Sequence, residues 1–71
     1  IRRDIEGAIK TAKTISDADR RWFAFLTIVQ AQAKAGDIAG AIETANSISD
    51  TDERMVVIVF FHLAVLKKLH P

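Results

Sequence analysis

The chain has 71 residues, a formal net charge of +1, 49% hydrophobic and 27% charged side chains, and no cysteine. Interspersed acids and bases exclude the basic field that holds nucleic acid. The missing thiols exclude disulfides and thiolate metal sites, and leave the compartment open with only a slight lean to the cytoplasm. A chain this short buries only about 60–65% of its unfolded surface, so it ordinarily needs a staple or a partner. It opens on Ile1 with no visible signal peptide, which reads as a fragment or a processed form.

The first apolar series is Ile5, Ala8, Ile9, Ala12 and Ile15. Its spacing predicts a short helix over 4–15 with Asp4 as N-cap. "SDAD" from Ser16 then predicts a tight turn and a new helix start, with Ser16 three residues before Asp19 as in a capping box. A longer amphipathic helix follows over 17–35, with Trp22, Phe23, Leu26 and Val29 set among polar Thr27, Gln30 and Gln32. Gly36 suits the left-handed residue after a helix end. Behind Asp37, the series Ile38, Ala41, Ile42, Ala45 and Ile48 predicts a third helix over 38–48. "SDTD" then opens a fourth over 50–69, with Asp50 three residues before Glu53.

The second half restates the first at an offset of thirty-three residues, without a gap. Asp4, Ile5, Gly7, Ala8, Ile9, Thr11, Ala12 and Ile15 recur as Asp37, Ile38, Gly40, Ala41, Ile42, Thr44, Ala45 and Ile48. Ser16, Asp17, Asp19, Arg21, Ala31 and Lys34 recur as Ser49, Asp50, Asp52, Arg54, Ala64 and Lys67. A period in this range signals stacked supersecondary units that bury their apolar faces on one another. The expected architecture is all-α: one domain over 1–71, with units 4–36 and 37–69, each a helix-turn-helix, giving four antiparallel helices. The paired glycines Gly7 and Gly40, each early in a short helix, predict close helix contact or a special backbone angle.

The stretch "AKAGDIAGAIETA", Ala33 to Ala45, carries a Gly-Asp turn, then Ile38, then Ala41-Ile42. This pattern resembles the tetratricopeptide-repeat family. In that family the small residue at the Ala41 position lets two helices approach closely, and Ala8 repeats it in the first copy. Phe25 matches the early aromatic of the first helix. Gln32 and Ala45 stand where the family carries aromatics, and no proline separates the units. The resemblance implies an α-solenoid scaffold that holds other proteins or peptides and performs no chemistry.

The differences between the copies concentrate in the long helices. Ala24, Thr27, Gln30, Gln32 and Gly36 become Val57, Phe60, Leu63, Val65 and Leu69. The stretch "MVVIVFFHLAVL", Met55 to Leu66, is apolar nearly all round, as in a helix covered on all sides. It is too short to span a bilayer, which takes about 20 residues. Val56, Val57, Phe60, Phe61, Leu63 and Ala64 are therefore the expected protein interface, with Trp22, Phe23 and Gln30 as further candidate partner contacts, Trp22 reading first as a core or inter-repeat anchor. A second copy is the simplest occupant, and a dimer the simplest assembly; the other occupants are a following segment of a longer chain, or a groove of another protein or a membrane surface. The function expected is a non-catalytic protein-interaction scaffold that also self-associates; the alternative is a pure homo-oligomerisation module built on the last helix.

No chemistry assembles from the remaining polar residues. His62 has no partner histidine one turn away, and His70 stands eight residues on, a spacing that makes no zinc pair. Asp17, Asp19, Asp50 and Asp52 recur at helix starts, where caps explain them. The pairs Arg2-Arg3 and Arg20-Arg21 lie among acids. No nucleophile stands beside a base. The expectation is no catalytic residue, no cofactor, no metal and no enzyme.

Overall fold

The computed structural model describes residues 2–69, and the side chains of residues 3–67. Ile1, His70 and Pro71, and the side chains of Arg2, Lys68 and Leu69, lie outside the described residues. Four helices follow in order: α1 (Arg2–Lys13), α2 (Ala18–Lys34), α3 (Ile38–Asn46) and α4 (Thr51–Leu69), with no strand among the described residues.

Capping decides where the long helices start. The Asp17 carboxylate accepts the Arg20 amide (3.1 Å) and Asp50 accepts that of Glu53 (3.0 Å). Each thereby satisfies one free first-turn donor. Asp17, not Ser16, is the cap of α2. α1 begins two residues earlier than its apolar series suggests, so Asp4 lies within the first turn and is not the N-cap. Asp37 caps α3 through the Gly40 amide (2.9 Å).

The two tight turns are built alike. Arg21 Nη1 donates to the Ile15 carbonyl (2.9 Å), and Arg54 Nη1 donates to the Ile48 carbonyl (3.3 Å). These clamps, like the two aspartate caps, stand one repeat period apart. α2 closes differently, on Gly36 at φ +88°. There the Gly36 amide donates to Ala33 and the Asp37 amide to Gln32, a Schellman motif that needs the left-handed angle glycine takes freely.

The glycine expectation needs correcting. A Cβ at Gly7 would meet nothing, so no close helix contact explains that residue. At Gly40 a Cβ would run into the side chain of Asp37, the cap of its own helix. Neither has a positive φ.

α2 is the centre of the molecule. It packs on α1, α3 and α4, most extensively on α3, whereas α4 packs on α2 and, less extensively, α3. The core joins Ala12 of α1, Phe25, Leu26, Ile28 and Val29 of α2, Ala41 and Ala45 of α3, Ile48, and Val57 and Phe61 of α4. The thinnest dimension is 16 Å, little more than one helix diameter of about 10–12 Å, so each helix keeps an outer side.

Candidate protein interface

α4 presents two faces of similar composition and opposite fate. Val57 is fully buried and Phe61 nearly so, with Ile58 and Val65 packed beside them. These two members of the expected interface belong to the chain's own core, because α2 covers that side of α4. Val56 and Ala64 are half-buried. Phe60 and Leu63 remain exposed.

The open face is turned by about one residue from the expected stripe. Met55, Val59, Leu63 and Leu66 are each more than half exposed, and exposed His62 stands among them. Steps of three and four residues put these side chains on one line along the helix. Met55, Val59 and Leu66 are exposed apolar residues that the expected stripe leaves out. Their counterparts Trp22, Leu26 and Ala33 are buried or half-buried on α2, so the repeat alone did not mark this line as open.

Beside this face lies an aromatic ledge. Trp22, half-buried, stacks on Phe60 with ring centroids 6.0 Å apart and planes 10° from parallel. Phe23 meets Trp22 edge-on at 6.1 Å and is largely exposed. Gln30 is exposed on the rim of an apolar groove that Ile38, Phe61, Ala64 and Val65 line. Gln32 does not belong with the solvent-facing residues: it is buried, and its Oε1 accepts the Thr44 hydroxyl (2.7 Å), tying α2 to α3.

A charged contact joins the copies. Arg21 Nε and Nη2 donate to the two Glu53 oxygens at 2.9 and 2.8 Å, a bidentate fork between α2 and α4. The hydrogen bond to Glu53 raises the Arg21 pKa; partial desolvation opposes it, and the charges of Glu53, Asp50 and Asp17 add to it. Glu53 is buried, so its amide completes a cap while its carboxylate serves the fork. The first copy has Arg20 at the Glu53 position, and that charge reversal beside an unchanged arginine was the readable trace of the contact.

The polar residues elsewhere satisfy one another locally. His62 Nδ1 donates to the Ile58 carbonyl (2.8 Å) in its own helix. Among the described residues no three of His, Asp and Glu gather in a way that could hold a metal ion. No described helix is long and apolar enough to cross a membrane.

The accessible surface is 5286 Å². A compact monomer of this mass exposes about 4,400 Å². The excess goes with the flat shape, 37 × 27 × 16 Å. No family model, no curated protein and no solved structure matches this chain.

Proposed function

We propose that this chain is a non-catalytic helical-repeat module of tetratricopeptide type that binds protein, a second copy of itself included. The observation that carries the reading is the open line of Met55, Val59, Leu63 and Leu66 beside the Trp22–Phe60 ledge. Contiguous apolar patches beyond a few hundred Å² are rare on monomers and mark contact surfaces. Large side chains clustered there are the kind that dominate binding energy.

A second reading, a pure assembly module with no foreign ligand, draws on a different observation. Five of the large exposed apolar residues, Met55, Val59, Phe60, Leu63 and Leu66, lie on the one helix α4. The other groove, between α1 and α3, is lined by Glu6, Asp37, Glu43 and Gln32 as well as Ile5 and Ile9, and has no comparable apolar line.

Sedimentation of the wild-type chain at micromolar concentration tests the proposal. Assembly that Leu63→Glu abolishes, with helicity by circular dichroism retained, is the expected result. A folded monomer across the whole concentration range would overturn both readings.

A further inference from the structure

The repeat supplies an occupant for the open face of α4. On α2, the positions equivalent to Val59 and His62 are Leu26 and Val29, and both are buried. On α4 they are open. The difference lies in the packing: α2 has α3 and α4 beside it, whereas among the described residues α4 packs on α2 and, less extensively, α3. α3 is the helix that packs most extensively on α2. α3 brings Ala41, Thr44 and Ala45, all buried, and Thr44 bonds to Gln32.

α1 carries the same three residues as Ala8, Thr11 and Ala12. Ala12 is already used on α2, but Ala8 is only half-buried and Thr11 is exposed. One end of the molecule therefore shows the surface that α3 uses, and the other end shows the surface that α3 would cover. We propose that copies of this chain associate head to tail, with α1 of one copy seated on α4 of the next as α3 is seated on α2. This rests on the self-association reading and specifies its geometry.

Such a contact is heterologous. It joins two different patches, so it leaves one of each free and continues into a ring or an open chain, where an isologous contact would stop at a dimer. The junction is not a perfect copy of the internal one. Val65 takes the place of Gln32, so the incoming Thr11 hydroxyl meets no amide there, whereas that of Thr44 bonds to Gln32 (2.7 Å). Val59 and Leu66 replace Leu26 and Ala33, keeping the seat apolar. In the same register Arg20 of the incoming copy arrives opposite Arg54, where the internal contact has Glu53 opposite Arg21. Like charges meet there, so the junction is weaker than the internal one and open to repair.

Two blocked variants decide the geometry. Thr11→Lys disables the α1 surface and Val59→Lys the α4 surface; both sites are exposed, so both variants fold, as circular dichroism checks. Head-to-tail association predicts that each variant alone is monomeric, with self-affinity lowered at least tenfold. Mixed, they restore one intact junction and sediment as a one-to-one dimer that grows no further. Arg20→Glu in the otherwise native chain tightens assembly several-fold, and less so in high salt. If Thr11→Lys still dimerises, and mixing with Val59→Lys adds nothing, the contact is an α4-to-α4 twofold and the head-to-tail proposal falls while self-association stands. A wild-type monomer removes both.

Discussion

α2 and α4 occupy equivalent places in two copies of one unit, yet they solve opposite problems. α2 has neighbours on three sides and carries polar Thr27, Gln30 and Gln32 along its second half. α4 has two helical neighbours, and from Met55 to Leu66 its one polar residue is His62. Apolar content therefore does not track burial within this chain. Thr27 and Gln30 are exposed on α2, and Phe60 and Leu63 are exposed in the same places on α4. What changed between the copies is the chemistry offered outward, at constant geometry.

The sharpest way to break this comparison is to truncate adjacent phenylalanines. Phe61→Ala opens a core cavity and should cost about 3–5 kcal/mol. That is a large part of the whole stability of a domain this size, roughly 4–10 kcal/mol. Phe60→Ala, half out in solvent, should cost about 1 kcal/mol in folding and act mainly on assembly. Urea titration of both in dilute solution reads the difference; equal losses would mean the two faces of α4 are not distinct.

Next in size is the fork between the copies. Arg21→Met leaves the buried Glu53 carboxylate without its bidentate partner and should lower the melting temperature. The equivalent Arg54→Met removes a single bond to a carbonyl and should cost clearly less. A thermal melt in which Arg54→Met is the worse variant would reverse the assignment of the inter-copy contact to Arg21.

Smaller again are the glycines. Gly36→Ala forces a Cβ into a left-handed angle and should cost about 1 kcal/mol. Gly7→Ala should stabilise by about 0.5–1 kcal/mol, since its site is open and helical. The copy at Gly40 should respond the other way, because an added methyl displaces the Asp37 cap. Chemical denaturation that moved Gly7→Ala and Gly40→Ala in the same direction would show that the Asp37 cap does not separate them.

The four helices and their order were legible because each apolar series keeps a helical period and is stated twice. Helix ends were less legible. Ser16 and Asp17 can both cap, and only backbone geometry selects Asp17. Which face of α4 lies inward was not legible at all. In a helix apolar all round, periodicity carries no direction, and Val57 and Val59 look alike until a neighbour covers one of them. Gln32 misled for the converse reason, since a buried amide with a partner reads in sequence as a solvated one.

The paired clamps at the tight turns also have a kinetic side. Arg21 reaches back six residues to Ile15, and Arg54 six residues to Ile48. Each turn therefore closes over a short loop, an event of about 10–100 ns when unobstructed. Most of the order of this fold is local in the chain, as in helical domains that fold in microseconds to milliseconds. Local closure of each hairpin is therefore expected to precede their docking through the α2 surface. An assembling copy would then meet a finished α1 on its neighbour rather than an unfolded segment, and growth would proceed by collision of folded units.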